Sequence, residues 1–80
     1  MSSGFLTSIG GLVLKVTQTL NDGDNTINHN LGKEIIGFEV KDVGVFVETS
    51  GDIIDNNNFN INLAGGGPIN NAIIILTYIN

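Results

Sequence analysis

The sequence predicts an all-β fold: a small antiparallel β-sandwich or barrel-like domain of six to seven short strands. Three observations carry that expectation. Apolar and polar residues alternate with a period of two in several segments, the pattern of a strand with one buried face. Clusters of Gly, Asn and Asp separate those segments as turns. No segment sustains the 3.6-residue apolar stripe of a helix, because glycine and β-branched residues are spread along the whole chain.

Residues 1–11 are small and Gly/Ser-rich, with Phe5, Leu6 and Ile9 as separate apolar points. A terminus of this kind either frays or serves as an arm that orders on a neighbouring subunit, with Phe5 and Ile9 as anchors. The β-sandwich domain is expected over residues 12–80. In the first strand Leu12, Leu14, Val16 and Leu20 share one face, and Lys15, Thr17 and Thr19 the other. Asn21-Asp22-Gly23-Asp24 reads as a turn. Asn25 to Leu31 is the second strand, with Ile27, His29 and Leu31 on one side and Thr26, Asn28 and Asn30 on the other; Gly32-Lys33 ends it. A third strand, Ile35 to Lys41, places Ile36, Phe38 and Val40 together.

Asp42-Val43-Gly44 is a tight turn before a fourth strand over Val45 to Glu48. A single long strand reaching Ser50-Gly51 is the alternative, but Gly44 interrupts its pattern. Asp52 to Asp55 is a short strand or extended link. Asn56-Asn57-Asn58 is a turn tolerant of the left-handed region. Phe59, Ile61 and Leu63 then alternate with Asn60 and Asn62. Gly65-Gly66-Gly67-Pro68 opens a loop that extends as far as Asn71. Ala72 to Ile79 is Ile-rich without interruption, which suits a central strand covered on both faces.

The bulk composition narrows the function classes. Eighty residues form one domain, and a chain of that size buries only about 60% of its unfolded surface. There is no cysteine and one histidine, so disulfides, thiolate zinc sites and histidine-rich metal sites are excluded. Association into a homo-oligomer, or docking in a larger assembly, is the remaining support for so small a core. The net charge is −5, with three lysines and no arginine. Phosphate neutralisation needs clustered cations, so neither nucleic acid nor an anionic membrane surface is an expected partner.

Charged residues make up only 14% of the chain, against roughly 25% in a typical globular protein. A surface built from Asn, Thr, Ser and Gly suits a protein packed among other proteins, or one outside the cell. The Ala72–Ile79 run is too short to cross a bilayer as a helix. The N-terminus lacks the basic region of a signal peptide, its first lysine being Lys15, and Gly4 does not stand where myristoylation requires it.

The candidates for chemistry are few. His29 as a general base would need a positioned nucleophile or acid, and none is visible; a partly buried ring that braces a turn is the better account. Asp22-Gly23-Asp24-Asn25 matches the opening of a calcium loop but has Ile27 at the glycine position and no distal glutamate. Asp52 and Asp55 beside three asparagines need only a turn to explain them. Gly65-Gly66-Gly67-Pro68 lacks the lysine and following helix of a phosphate loop. Phe38 and Phe59 fall in buried registers, whereas Phe46 faces opposite Val45 and Val47 and is the aromatic expected to make contacts. No catalytic residue, cofactor or metal ligand is assigned.

The stretch Leu20-Asn21-Asp22-Gly23-Asp24-Asn25-Thr26-Ile27-Asn28-His29-Asn30-Leu31-Gly32-Lys33 resembles a signature, G-x-N-T-I-x-H-N-L-G, that recurs in small β-domains of tailed-phage virion proteins. In that family an alternating strand and a D-x-x-G-like turn follow, here Glu39 to Gly44 and one residue shorter. A polar Asp/Asn turn, an alternating strand, a loop and a final β-branched run come next, here Asp55 to Leu63 and Ala72 to Ile79. The likeness covers roughly residues 12–80. It makes Asn25, Thr26, Ile27, His29, Asn30, Leu31 and Gly32 a structural signature.

The resemblance implies a non-enzymatic virion component whose partners are other virion proteins: a capsid-decoration, spike or tail accessory piece, or the tip of a tail fibre. Many relatives carry this domain at the end of a long protein. Here it is nearly the whole sequence, so a small accessory piece is expected. Homo-oligomerisation, for example as a trimer, would follow the symmetry of the docking site, and repeated weak contacts would add up. The alternative is a receptor- or carbohydrate-binding module reading a host-surface glycan. Phe46, the turn containing Asn57 and the loop containing Gly66 would then form its site. The docking reading instead uses an apolar face and the arm with Phe5 and Ile9.

Overall fold

Seven strands divide between two antiparallel sheets in a computed structural model that describes residues 12–79. They are β1 (Leu12–Leu20), β2 (Gly23–Asn28), β3 (Ile35–Asp42), β4 (Val45–Phe46), β5 (Ser50–Asp55), β6 (Asn58–Leu63) and β7 (Ile69–Tyr78). One sheet has the order β1-β7-β3-β4 and the other β2-β6-β5. The result is a small β-sandwich with no helix among the described residues. The expected arm, with Phe5 and Ile9, lies outside them.

The core follows from the alternation. Ile27 of β2 and Phe59, Ile61 and Leu63 of β6 face Val40 of β3 and Ala72, Ile74 and Leu76 of β7, and Leu20 closes one end. Phe38 and Phe59 meet as tilted rings with centroids 5.2 Å apart at 55°. Both rings need Gly51 on β5: a Cβ there would stand 2.7 Å from Phe38 Cε1 and 2.7 Å from Phe59 Cζ.

Several expectations are corrected. Ile36 does not share a face with Phe38 and Val40. A bulge between Ile35 and Gly37 opposite β7 shifts the register, so Ile35 enters the core and Ile36 is 51% exposed. β2 starts earlier, at Gly23, and stops at Asn28, because the N–H groups of His29 and Asn30 leave the ladder for the carbonyl of Asn57. β4 is only two residues long. β7 starts at Ile69 rather than after Asn71; Asn71 adopts φ 58° where the pairing slips between Gln18 and Leu20. β7 is central in its sheet but buried on one face only, with Ile73 and Ile75 half-buried on the other. Among the described residues the left-handed non-glycine positions are Asn30, Val43 and Asn71, and the 56–58 turn does not use the tolerance its asparagines offer.

The strand directions sort the connections between two ends. One end holds the Asn21–Asp22 turn, the hairpin turn at Val43–Gly44 and the 64–68 connection, where Asp22 Oδ1 accepts the Gly67 N–H at 2.8 Å. The other end holds the start of β1, residues 29–34, the Asn56–Asn57 turn and the end of β7.

Candidate functional site

The signature is built around two buried polar side chains. Asn25 points inward from β2 and is only 8% exposed. Its Oδ1 accepts the Asn21 N–H at 2.9 Å. Its Nδ2 faces the carbonyls of Asn21 at 2.9 Å, Gly23 at 3.0 Å and Ile61 at 3.1 Å. Two amide hydrogens are shared among three acceptors, and only this orientation of the amide satisfies its surroundings. One side chain thereby closes the turn between β1 and β2 and ties it to β6.

His29, equally buried, sits just past β2. Its Nδ1 accepts the Leu31 N–H at 3.1 Å, so the ring hydrogen resides on Nε2, which is buried and has no partner among the described residues. Burial pushes the imidazole below its ordinary pKa, against the opposing pull of the Asp55 carboxylate. The ring is therefore neutral, and its acceptor nitrogen is committed to a backbone N–H.

The rest of the signature completes this junction. Ile27 lies wholly in the core and Leu31 packs against it. Asn30, at φ 54°, and Gly32, at φ 66°, take left-handed conformations that turn the chain toward β3. Gly32 donates its N–H to Asn57 Oδ1 at 2.8 Å, and the Lys33 N–H bonds the Asn56 carbonyl at 2.9 Å. Asp55 Oδ1 in turn accepts the Asn57 N–H at 2.7 Å, which holds its carboxyl below the usual range. Thr26 is exposed on the outer face of β2 and belongs to none of this. Asn57 is thus part of the internal scaffold of this junction.

The outer face of the β2-β6-β5 sheet is a grid of short polar side chains. Asp24 accepts from Asn62 Nδ2 at 2.9 Å and Asn60 Nδ2 at 3.1 Å, and these bonds lower its carboxyl pKa. Asn28 donates to Asn58 Oδ1 at 2.8 Å, and Asn58 donates to the Asp55 carboxylate. In the sequence these asparagines read only as strand and turn residues. The alternation in Asn58–Asn60–Asn62 was visible, but the register that sets Asp24 beside them was not.

Apolar exposure is concentrated elsewhere. A cleft of about 510 Å³ opens between the edges of β3 and β5, with Phe38 and Phe59 among its lining and Ile35, Ile36, Gly51 and Ile53 around them. Ile36, Ile53 and Ile54 are each about half exposed. At the β3–β4 hairpin, Val43, Val45 and Phe46 are exposed, and Lys41 Nζ lies 5.0 Å from the Phe46 ring centroid. Phe46 and Gly66 fall toward one end of the sandwich and Asn57 at the other, so the three elements of the expected glycan site do not converge. Among the described residues, no three of His, Cys, Asp or Glu gather as metal ligands, and no helix is long and apolar enough to cross a membrane.

Comparison with family models, curated proteins and solved structures finds no match.

Proposed function

We propose that this chain is a non-enzymatic structural component of a bacteriophage virion, a small capsid-decoration, spike or tail accessory piece that docks on other virion proteins. The observation that carries the reading is the use made of the signature. Asn25 is consumed in closing the β1–β2 turn at one end of the sandwich, Ile27 in the core, and His29, Asn30, Leu31 and Gly32 in the junction with the Asn56–Asn57 turn at the other end, which favours surface rather than chemistry as the working part of the molecule. The resemblance of residues 12–80 to virion β-domains supplies the setting. The lateral cleft with Ile36 and Ile53 supplies an apolar surface for contact.

The test is composition of particles. Purified particles from a host carrying this gene are analysed by quantitative mass spectrometry and labelled with antibody against the chain. The chain is expected at a fixed number of copies per particle. Particles that lack it, with the chain left entirely in the soluble lysate, would refute the reading. Specific retention on an array of host-surface glycans by the free chain would favour the receptor-binding alternative.

A further inference from the structure

The cleft between β3 and β5 has an unusual border. β4 accompanies β3 only at Lys41 and Asp42, with one more bond from the Val47 N–H to the Val40 carbonyl. Residues 35–39 therefore have no strand on that side among the described residues. β5 pairs only with β6, so its other edge is free as well. An apolar cleft with unpaired backbone on both lips has the chemistry to receive an extended apolar segment, whose main chain bonds a lip while alternate side chains enter the cleft. Of the residues lining it only Asp52 is charged.

The sequence contains such a segment. Residues 1–11 carry no charged side chain, and Phe5 and Ile9 fall on the same side of an extended chain. In an extended strand two residues at that spacing would be about 13 Å apart, the same five-residue span as the unpaired stretch 35–39. Reach decides which copy provides it. Leu12 is in register with Tyr78, and Tyr78 with Ile35. Two strand spacings, about 10 Å, therefore separate Leu12 from β3. Ile9 is three residues before Leu12 and extends at most about 11 Å from it. Within one chain Ile9 arrives only at β3 itself, so the Phe5–Ile9 pair cannot lie along the cleft beyond it.

We infer that the cleft is occupied by residues 5–9 of a second copy, added as a strand along 35–39 with Phe5 and Ile9 directed toward Phe38 and Phe59. This rests on the reading of the chain as part of an assembly. β1 and the cleft lie on opposite lateral edges of the sandwich, so donor and acceptor surfaces differ. A contact of that kind is heterologous and closes into a ring, such as a trimer, when the rotation permits.

Sedimentation equilibrium of the full chain tests this. The wild type is expected at a multiple of 8.4 kDa. A Phe5→Ser/Ile9→Ser variant and an Ile36→Glu/Ile53→Glu variant are each expected at the single-chain mass with unchanged far-UV circular dichroism. The first keeps an intact cleft and the second an intact segment, so their mixture is expected to form a one-to-one complex. A wild type that stays at the single-chain mass overturns the inference, as does an oligomer that survives in the Phe5→Ser/Ile9→Ser variant, which alters nothing in the sandwich. Two monomeric, folded variants that fail to combine also overturn it. A monomeric chain still found in particles would overturn this inference alone and leave the virion reading standing.

Discussion

Replacing Asn25 should unfasten one end of the sandwich. Asn25→Ala removes the acceptor of the Asn21 N–H and the donors to three carbonyls. The Asn21 and Gly23 groups lie at a turn where water can take over, so each loses only the net value of a hydrogen bond, about 1 kcal/mol. The contact with Ile61 is buried, and an abandoned buried carbonyl costs about 1–3 kcal/mol. The total is about 4–6 kcal/mol, a large share of the whole stability of a domain this small and more than about 15 °C in Tm. Asn25→Asp is the sharper test. It keeps the shape and the acceptor but turns a carboxylate oxygen toward three carbonyl oxygens. It should cost at least as much as alanine at neutral pH, and the deficit should narrow in acid as burial raises the carboxyl pKa. Urea denaturation followed by far-UV circular dichroism gives both values. An alanine variant within about 0.5 kcal/mol of wild type, or an aspartate variant as stable as wild type at neutral pH, would refute the role assigned to this amide.

Three other outcomes follow from local geometry. Gly51→Ala drives a methyl group into the Phe38 and Phe59 rings and should cost about 1–3 kcal/mol, with altered near-ultraviolet dichroism as the rings move; an unchanged spectrum and midpoint would count against the packing described. Val43 is 90% exposed in a left-handed conformation, followed by Gly44 at φ 82°. Val43→Asn supplies the residue this two-residue turn prefers and should raise stability by about 1 kcal/mol. A fall in Tm would show that the valine makes a stabilising contact despite its exposure. For His29, the folded pKa lies below the unfolded value of 6.5, so the unfolded chain binds more protons and stability, complete above that value, declines as pH falls beneath it. Urea midpoints at about pH 5 and about pH 7.5 should differ in wild type, and the difference should shrink in His29→Gln. Equal midpoints in wild type would sink the assignment.

Much of the fold was legible because burial in a sandwich has the same period as the sequence. Phe59-Ile61-Leu63 could only be a strand with an inner face, and the Ile-rich end of the chain reads as a strand although its second face is covered less than that composition suggests. What was misread involves residues that break the period. The bulge at Ile35–Gly37 exchanges Ile35 for Ile36 in the core, and neither residue type signals it. The start of β7 was obscured because Asn70 and Asn71 resemble loop residues, whereas Asn71 takes the left-handed position of an irregularity inside the strand. In the signature, His29 could be read as a turn brace from its lack of chemical partners. The roles of Asn25 and Asn57 depend on contacts 36 and 25 residues away, and local pattern carries no trace of them. The cleft lies beside residues 35–38 of β3, beyond the reach even of the expected four-residue β4, whose register would end at Glu39.

The polar grid outside β6 has a consequence for the medium in which the protein works. Its bonds join amides to carboxylates or to one another, so they hold no pair of opposite charges for dissolved ions to weaken. What ions do weaken is the mutual repulsion of Asp24, Asp52 and Asp55, which share that sheet, and of the net charge of −5 on the chain. A surface of this kind is indifferent to brine or firmer in it, so the fold should hold across a wide range of salt concentrations.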